Sequence, residues 1–312
     1  MGRRRRPVAE AIRMSFGAFE SGGRFFRGNI HTHSTNSDGH LEPEAVARHY
    51  AEAGYDFLCL SDHFLDAYGF PISDTTPFRT NRFTTMLGAE LHAPANSHGE
   101  LWHILAAGLP ADFAPTADGE DGVALARRAR ATGAFVGIAH PQWSGLTIED
   151  GRALAEIAHA VEIYNFTCDI DTARPDGTYL LDQLLNEGNR LLAYAADDAH
   201  FRWPDAGGGW MMVKAEGNEP EALLEAMKRG DFYSSQGPEL RELCRDGDHL
   251  EIACSPATTI CVLGRGTRAE TVQGRQLTRA RLPPEKFLGD WCRIVVRDAS
   301  GRHAWTNPLW LD

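Results

Sequence analysis

From about residue 29 to residue 230, short apolar runs alternate with amphipathic segments, the order expected of a parallel sheet or barrel wrapped by helices. The runs predict strands at residues 28–33, 57–61, 84–91, 102–108, 135–139, 160–163, 191–196 and 209–214. Between the first two, EPEAVARHYAEAG (residues 42–54) has Pro near a helix start, acids in its first turn and Gly at its end, which predicts a helix. Further helices are predicted at 123–131, 147–158, 179–187 and 219–228, the second of these opening on Thr147 as a cap with Asp150 three residues on. After Pro238 the character changes. HLEIAC (249–254) and WCRIVVR (291–297) predict strands, and DASG (298–301) predicts a turn before RHAWT (302–306), together a small antiparallel region. The expected organisation is an N-terminal tail at 1–27, an α/β unit at 28–237 and a β-rich region at 238–312, with no internal repeat and no low-complexity segment.

A chain of 312 residues can bury a substantial core, as one large domain with an appendage or as two domains. Hydrophobic residues at 43% and charged residues at 24% disfavour both a disordered and a membrane reading. Forty-three acids against 31 Lys and Arg give a formal charge of -12, which disfavours a nucleic-acid polymer as partner and leaves a small-molecule substrate as the expectation. The basic run Arg3–Arg6 reads as a solvated chain end. The segment after it is broken by Glu10 and Arg13, so no export signal is expected, and no transmembrane stretch follows. Six cysteines (Cys59, Cys168, Cys244, Cys254, Cys261 and Cys292) lack C-x-x-C spacing, which suits free thiols in a reducing, cytoplasmic setting. Oligomeric state has no clear sequence signal.

The candidate chemistry lies at the strand ends. His31 and His33 end the first predicted strand in NIHTHSTNSDG, His63 follows the second in SDH, and Glu90 closes the third in GAE. His103 falls early in WHILAAG, His140 ends a strand in GIAHP, and Asp198 with His200 ends another in AADDAH. Alternate residues on a strand point the same way, so His31 and His33 can aim at one cation. In barrels of parallel strands such groups gather at the C-terminal rim. Taken singly the signals are weak: a lone H-x-H is seldom a ligand pair, His103 alone reads as a core histidine on a backbone carbonyl, and His140 before Pro141 reads as a strand terminator. Their recurrence at successive strand ends favours ligation, because burying several imidazoles and carboxylates together without cations carries a large desolvation penalty. Mixed imidazole and carboxylate donors suit zinc, iron or manganese better than magnesium or calcium.

These residues resemble those of the PHP (polymerase and histidinol phosphatase) metal-dependent hydrolases. The resemblance runs in family order through HTHSTNSDG, LSDH, GAE, HILAAG, AHP, VEIYN and DAH, over roughly residues 28 to 200, and FRGN with GDFYSSQGP is similar to the two-part, carbaryl-hydrolase-like bacterial branch. It implies a distorted (β/α)7 barrel with a small C-terminal antiparallel β region and two or three divalent ions (Zn, Mn or Fe) at the rim. It further implies a first ion on His31, His33, Glu90 and Asp198, a second on Glu90, His103 and His140, and a third on Asp38, His63 and His200. Many relatives have histidine where this chain has Asp38. The resemblance also places Asn165 near the site.

Adjacent divalent ions lower the pKa of water from about 15.7 to about 7 and clamp the oxygens of an electrophilic phosphorus, so hydrolysis of a phosphoester of a small metabolite is the expected reaction. Glu90, Asp198 and His200 are the catalytic candidates, with Asp198 or His200 carrying a proton to the leaving oxygen. Arg79, Arg82 and Arg202 are candidates for phosphate contact, each weighed against an ordinary solvated arginine. His92 and His98 are left out of the ligand set, and Trp143, Phe201 and Trp203 are candidates for the entrance or for packing. The same metals would also attack a carbamate or carboxylic ester. A non-catalytic metal-binding or assembly module is the remaining alternative.

Overall fold

The computed structural model of the protein describes residues 13–311; the basic run Arg3–Arg6 lies outside the described residues. In chain order the elements are β1 (Arg13–Ser15), β2 (Arg24–Asn29), α1 (Pro43–Glu52), β3 (Phe57–Leu60), β4 (His63–Phe64), β5 (Thr84–Ala93), β6 (Trp102–Ala107), α2 (Gly122–Ala131), β7 (Phe135–Ile138), α3 (Ile148–Ala155) and β8 (Ala160–Asn165). There follow α4 (Phe166–Thr172), α5 (Thr178–Asn186), β9 (Leu192–Ala196), β10 (Trp210–Ala215), α6 (Pro220–Arg229) and β11 (Phe232–Ser235). The rest is β: β12 (Leu240–Asp246), β13 (His249–Gly264), β14 (Ala269–Leu282), β15 (Trp291–Arg297), β16 (His303–Thr306) and β17 (Leu309–Trp310). Residues 13–27, expected as the end of a tail, hold β1, which pairs with β12, and most of β2.

Local chemistry sets the helix starts. Pro43 and Pro220 occupy first turns, where a missing N–H costs nothing, and Asp121 caps α2 by accepting from Ala124 N. Thr147 and Asp150 form the reciprocal capping box of α3. The short α4 has no counterpart in the predicted elements. Its cap is Asn165, the last residue of β8, whose side chain accepts from Cys168 N.

The fold is mixed α/β with one sheet of 17 strands among the described residues. Strands β2, β3, β5, β6, β7, β8 and β9 pair in that order. The expectation of parallel neighbours throughout fails at β6, which is antiparallel to both β5 and β7. The cause is the connection: residues 94–101 contain no helix, and so short a link can only return the chain beside itself. No ladder closes β9 onto β2. The two ends meet at an isolated parallel bridge between Thr32 and Ala199, beside which His33 N donates to Ala199 O (2.9 Å) and Asp198 N to His31 O (2.8 Å).

Inside this arc Phe26, Ile30, Phe57, Met86, Leu105, Phe135 and Tyr194 pack together, with Leu223 and Met227 of α6 joining the same cluster. The C-terminal strands are not a separate sheet, because β11 pairs with both β10 and β16. Their core of Leu250, Ile252, Ile260, Val262, Ile294 and Val296 includes Tyr233 of β11. All six cysteines are free. Among the described residues no helix is long and apolar enough to cross a membrane.

Candidate metal centre

The seam between β2 and β9 carries the first donors. His31 and His33 stand just beyond β2, not on it as predicted, yet they flank the bridged Thr32 and so keep the side-by-side placement of a strand. Their Nε2 atoms lie 3.2 and 2.8 Å from Asp198 Oδ1. Asp198 and His140 both follow strands, with φ of 57° and 22°, values that non-glycine residues seldom adopt outside constrained sites. Glu90 sits within β5 rather than at its end. His103 reaches the same rim because β6 runs backwards, so the beginning of this strand lies beside the ends of the others, opposite His92 of β5.

Glu90 is the hub and is fully buried. Its Oε1 is 2.7 Å from His103 Nδ1 and 3.0 Å from His140 Nε2. Its Oε2 is 2.7 Å from His63 Nδ1, 3.6 Å from His92 Nε2 and 3.7 Å from the Nε2 atoms of both His31 and His33. Asp38 Oδ1 lies 3.3 Å from Nε2 of His63 and of His200. Donor atoms that converge into metal-sized groups are His31, His33 and Asp198; His31, Glu90 and His140; His33, Asp38, His63 and His200; and His63, Glu90 and His92. His103 stands outside these groups, although it touches Glu90.

Two observations make this donor set fit divalent cations. His31 Nε2, His33 Nδ1, Asp38 Oδ1 and Glu90 Oε2 are buried without a hydrogen-bond partner, a costly condition in the absence of another ligand. Donor separations between 2.7 and 3.7 Å also bracket the ~3.3 Å edge of a tetrahedron with ligands at about 2.0 Å. The second observation is the outer nitrogen of four of the rings. His31 Nδ1 faces Glu162 Oε1 at 3.0 Å, His140 Nδ1 faces Ser144 Oγ at 2.9 Å, His200 Nδ1 faces Asp198 O at 2.8 Å and His92 Nδ1 faces Trp102 O at 3.1 Å. An acceptor behind the ring fixes the proton there and turns the other nitrogen's lone pair inward, the usual support of a metal-bound imidazole.

Charge follows the same arrangement. Burial alone would push the Glu90 carboxyl up, but the charges of His63, His103 and His92 outweigh it and hold the group well below the carboxylate range. Asp198 is likewise held down against burial by His31 and His33. Burial takes His33 down to about 3, helped by the charges of His63 and His200, and takes His103 to about 4 against the pull of Glu90. The carboxylates are thus ionised, as ligands must be.

A cavity of about 340 Å³ opens onto these groups, lined by Asp38, His63, His92, His103, His140, Asp198 and His200. Arg202 is on its wall, donating through Nη2 to Asp38 Oδ2 and to Asp38 O, both at 3.1 Å. Arg79 and Arg82 are not. The Arg79 guanidinium is engaged by Thr85 O, with Nη2 at 2.8 Å and Nε at 3.1 Å, and Arg82 is exposed away from the lining. Asn165 is buried and donates to Glu162 Oε2 (3.1 Å) and Asp198 Oδ2 (3.0 Å), so its amide supports the donors and does not face the cavity. Trp143 and Trp203 line the cavity, whereas Phe201 packs against His49 and Tyr50. His98 is off the wall.

Sequence reasoning missed His92, Glu162 and Asp62. His92 is two residues after Glu90 on one strand and shares its face, a period-two signal that was readable. Glu162 is the lone acid in the apolar run AVEIY. Asp62 is buried and accepts from Ser34 N (2.7 Å), Ser37 Oγ (2.8 Å) and Ser73 Oγ (2.6 Å), which ties down the loop after β2.

No family model and no curated protein matches the chain. Among solved structures, a two-domain protein from Bacteroides vulgatus containing a predicted PHP-like metal-dependent phosphoesterase aligns over 99% of this chain and 100% of its own, with a TM-score of 0.53 and 15% identity. A candidate metal-dependent phosphoesterase from Bifidobacterium adolescentis aligns over 57% of this chain and 89% of its own (TM-score 0.43, 16% identity). An amidohydrolase from Chromobacterium violaceum gives 57% and 89% (TM-score 0.43, 13% identity). The chain therefore shares its fold with a protein that contains a predicted PHP-like domain, in line with the resemblance of the motifs, and this likeness extends through the C-terminal strands.

Proposed function

We propose that the chain is a PHP-type metal-dependent phosphoesterase that hydrolyses a small phosphorylated molecule. The observation that carries this reading is Glu90, whose Oε1 faces His103 and His140 and whose Oε2 faces His63 and, farther off, His31, with His63, His103 and His140 lining one cavity. The kind of protein that shares its fold, one containing a predicted PHP-like phosphoesterase, supports it. In this reading the strands from β2 to β9 are the distorted seven-stranded barrel, residues 28–237 form the catalytic unit, and residues 238–312 are its β-rich extension.

His31, His33, Glu90 and Asp198 would hold a first ion, Glu90, His103 and His140 a second, and Asp38, His63 and His200 a third, from among zinc, manganese and iron. Such ions supply Lewis acidity toward phosphoryl oxygens and an acidified water. The chain supplies the rest. Glu162, Ser144 and the carbonyls of Trp102 and Asp198 keep the rings aimed inward. His200 or Asp198 relays the proton to the leaving oxygen, with His200 Nε2 facing Asp38 Oδ1 at 3.3 Å. Arg202 turns from Asp38 to meet the phosphoryl group.

A second reading, hydrolysis of a carbamate or carboxylic ester as in the carbaryl-hydrolase-like branch, is favoured by the apolar mouth, to which Leu65, Tyr68, Leu101, Trp143 and Trp203 contribute. One experiment separates the two: metal content together with turnover of phosphomonoesters, phosphodiesters and aryl carbamates. Phosphomonoester turnover that depends on bound metal supports the proposal. Turnover of carbamates alone transfers the site to the second reading, and a metal-loaded protein inert toward all three rejects both.

A further inference from the structure

The mouth of the metal-facing cavity is unlike the rest of the surface. Eight large hydrophobic side chains are exposed among the described residues, and four of them, Tyr68, Leu101, Trp143 and Trp203, line this one opening. Scattered exposed apolar residues need no explanation, but a concentration at the entrance of one cavity marks a surface that a ligand covers. Two of the rings stand directly against the donors. Tyr68 stacks on His63 with centroids 6.3 Å apart and planes at 22°, while Trp143 meets His103 and His140 edge-on at 5.3 and 5.0 Å. A group reaching the donors passes beside these rings.

The charges narrow the ligand further. Apart from Asp38 and Asp198, which belong to the donor groups, the charged groups on the lining among the described residues are Arg202, the one Lys or Arg, and the carboxylates Asp171 and Asp205. With Arg202 taken by the reacting group, a molecule with additional phosphates or carboxylates would meet Asp171 and Asp205 at the mouth and no further cation, and suffer Coulomb repulsion in a partly desolvated space. A flat, uncharged ring instead gains stacking and edge contacts from indole and phenol faces.

We infer that the substrate carries a single phosphoryl group on an uncharged aromatic alcohol, whose ring lies against Trp143 and Trp203 while the phosphoryl group reaches the donors. This rests on the phosphoesterase reading for the bond that breaks, but the aromatic part stands on the mouth alone. In the reaction one water is consumed: an oxygen–phosphorus bond forms, the bond from phosphorus to the aryl oxygen breaks, and that oxygen leaves with a proton as the free phenol, beside inorganic phosphate.

The test compares 2-naphthylphosphonate with methylphosphonate, neither of which can be hydrolysed at an ester, by calorimetric titration of the manganese-loaded protein and its Trp143→Ala and Trp203→Ala variants. The naphthyl compound is expected to bind about tenfold more tightly, the scale of one good aromatic contact, and the preference to shrink in each variant. Equal binding of the two compounds, binding of neither, or a preference untouched by both substitutions overturns the inference. Turnover of 2-naphthyl phosphate is measured alongside. Preferential naphthyl binding with hydrolysis of 2-naphthyl carbamate but not of the phosphate upholds the aromatic subsite and overturns the phosphoesterase reading, so the two failures are distinguishable.

Discussion

His92 Nε2 lies 2.8 Å from His63 Nδ1, and the far nitrogen of the same His92 ring lies 3.1 Å from the carbonyl oxygen of Trp102. A carbonyl only accepts, so His92 Nδ1 carries its proton and Nε2 presents a lone pair to His63. His63 then keeps its own Nε2 lone pair for the Asp38 side, 3.3 Å away. Replacing His92 by Ala is expected to weaken metal retention by the Asp38, His63 and His200 set and to lower activity by about 10–100-fold, the usual scale for a lost support of a metal-bound imidazole. His92→Gln, whose amide oxygen can accept from His63, should retain more. Metal titration of the three proteins reads this directly, and identical affinity and stoichiometry would remove His92 from the site.

Glu90 is the residue whose loss touches every donor group at once. Glu90→Gln keeps the shape but removes the buried charge that faces His31, His33, His63, His103 and His140. The variant should lose bound metal and all measurable turnover. Chelation of the wild-type protein should abolish activity and lower the melting temperature, since a ligand that binds only the folded state stabilises it by mass action. Activity that survives both treatments would exclude Glu90 as the bridging carboxylate.

Much of this cluster was legible because imidazoles and carboxylates at strand ends stand out: His31, His33, His63, His140, Asp198 and His200 all follow strands that the apolar runs predict. What escaped depended on direction and on depth. The antiparallel course of β6, which brings His103 to the rim, follows from a connection whose lack of a helix is hard to see in PANSHGEL. The long hairpin of β13 and β14 escaped because its outer strand alternates polar and half-buried positions and resembles a loop in composition. Arg79 lies off the cavity wall for a reason invisible in one dimension, namely that Thr85 O lies within its reach.

Asp62 makes a separate prediction about stability. Its buried carboxylate accepts charge-assisted hydrogen bonds from Ser34 N and Oγ, Ser37 Oγ and Ser73 Oγ. Asp62→Ala strands these donors in the interior and should destabilise the protein by about 3 kcal/mol. Gly39 belongs to the same loop, where a Cβ would stand 2.7 Å from His33 C and O and from Ser34 N, all of them backbone atoms. Gly39→Ala should therefore cost about 1–3 kcal/mol and displace His33 as well. Urea unfolding measures both, and a change below about 0.5 kcal/mol in either would contradict the assigned packing.

The last prediction concerns acid stability and lies away from the donors. His159 Nδ1 accepts a hydrogen bond from Val136 N at 3.0 Å, and its ring stacks on Phe135 at 5.3 Å. Burial, then the charges of Arg130 and Lys228, push its pKa from the ordinary 6.5 down to about 4. Between these two values the unfolded chain binds a proton that the folded chain refuses, so the unfolded state holds more protons and stability rises with pH. The contribution of His159 is fully present above pH 6.5 and is lost as pH falls toward about 4. Protonation at Nδ1 would also break the bond from Val136. His159→Asn should accordingly show a shallower loss of stability than wild type between pH 7 and pH 5, a window above the titration of ordinary carboxylates. Because both proteins share the metal-centre histidines, the difference between their unfolding curves isolates this one ring. Parallel curves across the window would mean that His159 titrates alike in both states, and the burial argument for it would fail.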